Sequence, residues 1–331
     1  MNIAGTGFQE LNKISCQKHL KQDLNKEIFL KNSQRVVFKG QNLVDDTFQY
    51  QPENAKALSN DKGYEVLIDG AGAGTSKFNG FTITRGSDDP LRKQLGNLFY
   101  LRSGKNFWSA GLQPTLKKPD KYETEFTDKK VKIVRQDSSI QSKLQVVVSP
   151  EDNAEIRRIS LTNKSNKPKD VEVTSYSETP LVQWEGHKAF TNLFVTTKYL
   201  PEIDGIIANR RPRSPHDKEI WAVNTIRVNK DDIAKGSTIE YETAREKFIG
   251  RNRTLQDPAA MSEKHLSNTA GIPLDPVASL RTTVKLEPHK EINIDFITVA
   301  GNTENEVVEL AKKYNDAQTA DKVINQESRG I

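Results

Sequence analysis

Short runs in which apolar and polar residues alternate fill most of the sequence from residue 63 to residue 300. Such alternation is typical of strands that bury one face. Gly, Pro, Asn and Ser break the runs at short intervals, as in Ser149-Pro150. The single runs lie at residues 64–68, 81–84, 122–126, 131–133, 144–148 and 221–228. About ten or more strands of this kind indicate an all-β body.

Little helical periodicity lies between these runs, so the crossover helices that a parallel sheet requires are missing. We therefore predict a large antiparallel β-sandwich. Two pairs of neighbouring runs, 156–176 and 280–296, are interpreted as hairpins. Their turns, Asn163–Pro168 and Glu287–Lys290, carry residues that favour turns.

Helical periodicity appears only at the two ends of the sequence. Leu11, Leu24 and their apolar neighbours recur at mostly helical spacing, which predicts a helical or irregular N-terminal arm over residues 1–58. The sandwich then spans 59–300. A linker helix is expected within 301–331, with Thr303 as N-cap and Glu306 in the capping-box position.

Composition limits the classes of protein and the cellular locations that fit this sequence. Hydrophobic residues make up 35% of the sequence, and no apolar stretch is long enough to span a bilayer. No secretory signal is visible at the N-terminus. Cys16 is the single cysteine, so an internal disulfide and a Cys-rich zinc site are excluded. We expect a cytoplasmic protein without a membrane span.

The net charge does not favour nucleic-acid binding. Lys and Arg number 49 against 44 Asp and Glu, a formal net charge of +5. The basic residues are interleaved with acidic ones, whereas nucleic-acid binders concentrate basic residues on one face. One dense basic cluster exists, at 209–213, and we expect no nucleic-acid partner.

The glycine-rich run Asp69–Ser76 resembles a dinucleotide loop only superficially. Thr75 occupies the place of the third glycine, and the sequence re-enters a strand instead of starting a long helix. Without a helix N-terminus a phosphate loop lacks its aligned amides. We predict a tight turn with close backbone approach.

The sequence offers no motif for a metal, a cofactor or an activated serine. The five histidines are scattered and no pair has metal-ligand spacing. No G-x-S-x-G motif occurs. Carboxylates are numerous, and a glycosidase pair cannot be chosen among them by sequence alone. We assign no catalytic residue, no metal ligand and no cofactor.

Two arginine-rich loops are the strongest binding candidates. One is Asn209–Pro215 and the other is Phe248–Pro258, and both combine arginine with rigid proline. Arginine suits carboxylates, phosphates and planar stacking, although a structural arginine network inside the sandwich is an equally good interpretation. Residues expected to face a carbohydrate or a neighbouring domain are Trp108, Gln113, Arg210, Arg211, Arg213, Ser214, Arg251, Arg253 and Asp257.

Several segments, taken in order, resemble a known family. They are 69–78, 83–85, 89–90, 108–114, 148–152, 157–163, 193–195, 210–215 and 248–260. This series resembles the N-terminal β-sandwich of the glycoside phosphorylase family that includes cellobiose and chitobiose phosphorylases. It is similar in particular to the phosphorylase-like (glycosyltransferase family 36-like) region of cyclic β-1,2-glucan synthases and to 1,2-β-oligoglucan phosphorylases. The resemblance covers about residues 60–300.

The resemblance implies a supersandwich like that of galactose mutarotase, followed by linker helices and an α/α barrel. In the family the barrel carries the general-acid aspartate and most of the phosphate site. We expect that barrel to lie outside this sequence and this chain alone to be inactive. The implied ligand is a β-glucan oligosaccharide, and a separately encoded barrel chain or a homodimer is left open.

Three functional hypotheses therefore remain. The first is a non-catalytic carbohydrate-binding sandwich, or one half of a split phosphorylase. The second is a truncated remnant without activity. The third is a stand-alone mutarotase-type enzyme, which needs a His/Glu pair; His187 with Glu178 or Glu185 is the sequence-local candidate.

Overall fold

A computed structural model describes residues 55–87, 94–183, 194–212 and 217–326. The expected N-terminal helix lies outside these residues. The described part contains 18 strands. They are β1 (Ala55–Ser59), β2 (Tyr64–Asp69), β3 (Gly74–Phe78), β4 (Phe81–Thr84), β5 (Leu98–Ser103), β6 (Asn106–Ser109), β7 (Lys121–Phe126), β8 (Lys130–Asp137), β9 (Ile140–Val148), β10 (Ala154–Asn163), β11 (Lys169–Glu178), β12 (Val182–Gln183), β13 (Val195–Leu200), β14 (Gly205–Arg210), β15 (Ile220–Val228), β16 (Glu240–Ala244), β17 (Pro276–Leu286) and β18 (Glu291–Gly301).

The strands form three sheets. Sheet A has the order β1-β2-β3-β4-β12, sheet B the order β16-β17-β11-β5-β6, and sheet C the order β13-β14-β15-β18-β10-β9-β8-β7. Every strand pairing within these three sheets is antiparallel. The predicted antiparallel β-sandwich is confirmed.

The two expected hairpins are wrong. β10 pairs with β9 and β18 in sheet C, whereas β11 pairs with β5 and β17 in sheet B. The turns at 163–168 and 287–290 therefore carry the chain from one sheet to the other. Alternation predicts a strand and its buried face, but it does not reveal which strand becomes its partner.

The main core lies between the sheets. Apolar residues from all three contribute to it, for example Val66 of sheet A, Val173 of sheet B and Ile159 of sheet C. β10 is buried along nearly its whole length because it sits in the interior of sheet C and both of its faces are covered. Residues that alternate on this strand therefore pack into two different environments.

Two helices cover the outer face of sheet C. They are α2 (Glu304–Asn315) and α3 (Ala317–Ile324), numbered after the short helix α1 (Arg245–Ile249). Val307, Tyr314 and Ile324 pack on Ile156 and Val299 of the sheet. Thr303 caps α2, since its side-chain oxygen accepts from the Glu306 amide at 3.3 Å. The expected N-cap is confirmed.

Helix α1 and the segment that follows it cover the outer face of sheet B. Phe248, Leu255 and Met261 pack on Tyr100 and Tyr176, which project from β5 and β11. The Tyr100 hydroxyl donates to the Leu255 carbonyl at 2.7 Å. Sheet B is therefore buried on both faces although only one of them meets the main core.

The glycine-rich run forms the turn between β2 and β3. One carboxylate oxygen of Asp69 accepts from the amides of Ala71 at 2.9 Å and Ala73 at 3.0 Å. A side chain at Gly74 would place its Cβ 1.9 Å from the Leu67 carbonyl oxygen. The predicted tight turn with close backbone approach is confirmed.

Candidate functional site at one end of the sandwich

Several strands end at the same end of the sandwich. β11 ends at Glu178, β14 at Arg210, and Arg85 and Arg245 directly follow β4 and β16. The Arg85 amide donates to the Glu178 carbonyl at 2.9 Å. The guanidinium of Arg210 donates to the Leu181 carbonyl at 3.3 Å. We call this region, defined by Arg85, Glu178, Arg210 and Arg245, the Glu178 end.

The carboxylate of Glu178 is the centre of this region. One oxygen, Oε2, accepts from Arg85 Nη1 at 3.2 Å. The other, Oε1, accepts from Arg245 Nε at 3.0 Å and from the Tyr176 hydroxyl at 3.0 Å. Only 9% of the Glu178 side chain is exposed, against 39% for Arg85 and 44% for Arg245. A buried anion thus holds two guanidiniums at the protein surface.

The pKa values of two neighbouring groups, Tyr176 and Arg245, are shifted in this arrangement. Burial, together with the Glu178 charge, raises the pKa of Tyr176 well above its usual value. Burial alone would lower the pKa of Arg245, but the Glu178 charge outweighs it and raises that pKa. Tyr176 therefore stays a hydrogen-bond donor and Arg245 a cation, which together keep the negative charge of Glu178 balanced.

Strand register brings the loop after β6 to the same end. Leu98 of β5 lies beside Tyr176, and Tyr100 lies beside Ser109, the last residue of β6. The loop that follows contains Gln113, whose amide donates to the Ala71 carbonyl at 3.0 Å. Gln113 and the glycine-rich turn therefore lie at the end of the sheets where β11 finishes.

The first arginine-rich loop starts from this end as well. Arg210 is buried, whereas Arg211 is exposed and its amide donates to the Phe194 carbonyl at 3.0 Å. Arg213 and Ser214 lie outside the described residues. Arg210 fits the interpretation of a structural arginine network, because its guanidinium donates inside the protein. Arg211 fits the interpretation of a binding loop, because it is exposed to solvent.

The second arginine-rich loop runs over the outer face of sheet B. Arg251, Arg253 and Asp257 are exposed there. Arg253 donates to Ser262 Oγ at 2.9 Å and to the Pro258 carbonyl at 3.4 Å, and it lies 4.0 Å from Asp257. These contacts stay within the segment, which is therefore a self-supported surface feature.

Trp108 is placed inside the protein. Its side chain belongs to the main core and only 7% of the residue is exposed. The indole Nε1 is buried, and no hydrogen-bond partner for it is found among the residues that the structure describes. The indole ring therefore packs in the main core and presents little surface to solvent.

Sequence reasoning did not assign Arg85 and Arg245 to the site. Arg85 belongs to one of the family-like segments, but neither arginine lies in a cluster of basic residues. The available signal is positional, because each arginine directly follows the last residue of a strand. The sequence suggests Glu178 only as a member of a mutarotase-type pair, and the other candidate members, His187 and Glu185, lie outside the described residues.

Metal binding and membrane crossing are two further properties of the described chain. Among residues 55–87, 94–183, 194–212 and 217–326, no group of three or more His, Cys, Asp or Glu side chains is arranged to hold a metal ion. Over the same ranges, none of the helices has the length and apolar character needed to cross a membrane.

Comparison with known proteins agrees with the fold. Residues 44–317 match the family described as Glycosyl hydrolase 94, supersandwich domain. The chain is 31% identical over 283 residues to the cyclic beta-(1,2)-glucan synthase NdvB of Rhizobium meliloti (strain 1021), covering 84% of this chain and 10% of that protein. It is 27% identical over 222 residues to solabiose phosphorylase of Paenibacillus borealis, covering 65% of this chain and 27% of that protein.

The chain also aligns with solved structures. A bacterial glucoamylase complexed with acarbose aligns with a TM-score of 0.48 and 11% identity, over 88% of this chain and 39% of that one. The chain thus spans about a tenth and about a quarter of the length of the two curated relatives. Since the family match covers most of the sequence, the chain belongs to the glycosyl hydrolase 94 family, of which it contains the supersandwich domain.

Proposed function

We propose that this chain is the carbohydrate-binding sandwich of a β-glucan-active glycoside phosphorylase or of a cyclic β-1,2-glucan synthase-like protein. The Glu178 end faces the glucan or an α/α barrel, and the barrel carries the catalytic acid. The observation that supports this most is the convergence of Arg85, Arg210 and Arg245 with the Gln113 loop at one end of a domain of this family.

The chemistry of that end suits a sugar-bearing partner. The guanidiniums of Arg85 and Arg245 are partly exposed and fixed by a buried carboxylate, so their orientation is set before a ligand arrives. Guanidinium N–H groups donate to hydroxyl and carboxylate oxygens in a fixed geometry. Preorganised donors bind with a smaller loss of conformational entropy than mobile ones.

The proposal is tested by calorimetric binding of β-1,2-gluco-oligosaccharides to the chain, alone and mixed with a candidate barrel protein. We expect saturable binding to the wild-type chain, and weaker binding of the Arg85→Ala and Arg211→Ala variants. The matched control is Lys105→Ala, which removes an exposed cation from the turn between β5 and β6, at the opposite end of sheet B. This control should bind as the wild type does.

Two results would count against the proposal. If neither the chain nor the mixture binds any gluco-oligosaccharide, the domain is not a glucan-binding module. If the Arg211→Ala/Arg213→Ala double variant binds glucan and barrel as the wild type does, the first arginine-rich loop is structural and another surface carries the function.

A further inference from the structure

Three clusters in this protein share one design, in which a single buried carboxylate binds two arginines. Asp295 pairs with Arg158 and Arg227. Glu172 pairs with Arg102 and Arg281. Glu178 pairs with Arg85 and Arg245. Each cluster holds two positive charges against one negative charge, so each leaves guanidinium N–H groups over for a further acceptor or for water.

The Asp295 cluster receives that acceptor from a helix. Arg158 donates from Nε and Nη2 to Asp295, at 2.6 and 2.9 Å. Its guanidinium also lies 2.5 Å from a carboxylate oxygen of Asp321, which α3 brings from outside the sheet. The side chains of Arg158 and Arg227 are only 7% and 20% exposed. A second carboxylate thus balances the second guanidinium.

The Glu172 cluster receives main-chain acceptors from the segment that covers sheet B. Arg102 donates to the carbonyls of Met261 and Glu263, both at 3.0 Å. Arg281 donates to the carbonyl of Ala260. The side chains of Arg102 and Arg281 are 18% and 2% exposed. Here too a covering segment satisfies the donors that the carboxylate leaves over.

The Glu178 cluster has the same core but stays open. Arg85 and Arg245 contact Glu178 through one nitrogen each, Nη1 and Nε, and their side chains are about twice as exposed as the more exposed arginine of either other cluster. Tyr176 adds a third donor to Glu178, and its hydroxyl oxygen is also a hydrogen-bond partner of Arg245, but it brings no second negative charge. Among the residues that the structure describes, Glu178 is the carboxylate that pairs with either guanidinium, so two cations share one anion and both stay partly exposed to solvent.

We propose that Arg85 and Arg245, held apart by Glu178, form a binding site for a small oxyanion. The anion takes the place that Asp321 and the carbonyls of residues 260–263 occupy in the two closed clusters. A phosphate group fits because its oxygens accept from guanidinium forks and its charge offsets the excess cation. The inference rests on the proposed function and deepens it, since it assigns a ligand class to the Glu178 end.

The test is a nuclear magnetic resonance titration of the full chain that follows the arginine Nε–H signals at constant ionic strength. Inorganic phosphate is the first probe and glucose 1-phosphate the second, so that a free anion and a sugar-borne one are distinguished. We expect saturable shifts of the Arg85 and Arg245 signals. Removing either arginine should weaken binding by about tenfold, the size expected for one charge-assisted hydrogen bond.

Matched variants separate the anion site from general charge effects. Arg227→Ala removes one arginine from a closed cluster and should leave phosphate binding unchanged. Arg85→Lys/Arg245→Lys keeps both charges but removes the forks, so it should bind phosphate more weakly while remaining folded. The double lysine variant keeps the test decisive even if the alanine variants of Arg85 and Arg245 fail to fold.

Shifts that grow linearly without saturation for both probes, or equal binding by wild type and the double lysine variant, would overturn the inference. Its failure is distinguishable from failure of the proposed function, because glucan binding is measured separately. Glucan binding without phosphate binding removes the anion site alone, and phosphate binding without glucan binding removes the carbohydrate-binding role alone.

Discussion

The hydroxyl oxygen of Tyr314 lies 2.6 Å from Ser149 Oγ, which joins α2 to the turn between β9 and β10. The same hydroxyl donates to Asp152 Oδ2, also at 2.6 Å. Lys313, its neighbour on the helix, lies 2.5 Å from that carboxylate oxygen. One turn of the sheet thus receives two polar side chains from the helix.

Tyr314→Phe should destabilise the protein without altering its fold. The ring keeps its packing, but Ser149 and Asp152 lose a hydrogen-bond partner in a partly buried place, which costs about 1–2 kcal/mol. Urea unfolding followed by circular dichroism measures the change. Tyr241→Phe is the control, because the Tyr241 ring stacks on Tyr199 and the substitution keeps that stack. Equal stability of wild type and Tyr314→Phe would contradict the prediction.

Stability should fall on acidification through Asp152. Burial opposes ionisation of this carboxyl, but hydrogen bonds from Lys313 and Tyr314 outweigh it and hold its pKa below the ordinary value. A depressed folded-state pKa contributes stability that is present above the unfolded-state pKa and is lost as the pH falls through the folded-state pKa.

Asp152→Asn should therefore be less stable than wild type near pH 7, and the difference should shrink as the pH falls below about 4. Thermal unfolding at a series of pH values measures this. Asp61→Asn, at an exposed position on the β1–β2 turn, serves as the control. A difference that is constant from neutral to acid pH would show that Asp152 acts through its shape and not through its charge.

A buried ion pair joins the three sheets. Glu155 and Arg157 of sheet C are both fully buried and lie 3.3 Å apart. Glu155 accepts from Ser76 of sheet A at 3.0 Å, and Arg157 donates to the Asn97 carbonyl, just before sheet B, at 3.2 Å. Each charge therefore depends on the other for compensation.

Arg157→Met should destabilise the protein by about 3 kcal/mol or more, because it leaves the Glu155 charge buried without its cation. Glu155→Gln/Arg157→Met should cost less than the sum of the two single substitutions. A double-mutant cycle from urea unfolding measures the coupling. Additive single effects would show that the two residues do not act as a pair.

The glycine-rich turn should tolerate no side chain at Gly74. A Cβ there would lie 1.9 Å from the Leu67 carbonyl oxygen, so the backbone must move. Gly104→Ala is the matched control, since its φ of 62° disfavours alanine but nothing lies within 4 Å of the added Cβ. We expect Gly104→Ala to cost about 1–2 kcal/mol and Gly74→Ala to cost more, both measured by thermal unfolding. If Gly104→Ala costs more than Gly74→Ala, the backbone φ angle constrains these glycines more than the space for a Cβ does.

The sequence reveals the strands of this fold better than their partners. Alternation at Tyr64–Ile68 and at 144–148 depends on local burial, which the pattern records directly. One partner of β10, β18, and one partner of β11, β17, come from about a hundred residues or more further along the sequence. No local signal encodes that distance, and this is why the two hairpins were wrong.

The candidate site likewise contains residues that the sequence reveals and residues that it does not. Arg210 could be found because basic residues and prolines cluster around it. Glu178 and Arg245 could not, since 67 residues separate them and their ion pair exists only after β11 and β16 have both joined sheet B. The burial of Trp108 likewise depends on the sheets that close over it, and an isolated tryptophan in a sequence does not reveal whether its ring is covered.

Charged side chains of β10 bind groups of the other sheets on one face of the strand and groups of the helices on the other face. Glu155 and Arg157 face the sheets, and Arg158 faces the helices through Asp295 and Asp321. Detaching the helices therefore breaks an ion pair on the strand that also holds the sheets together. We expect the described body to melt in a single cooperative transition, so that heat capacity and spectroscopic probes on α3 and on sheet A report the same midpoint.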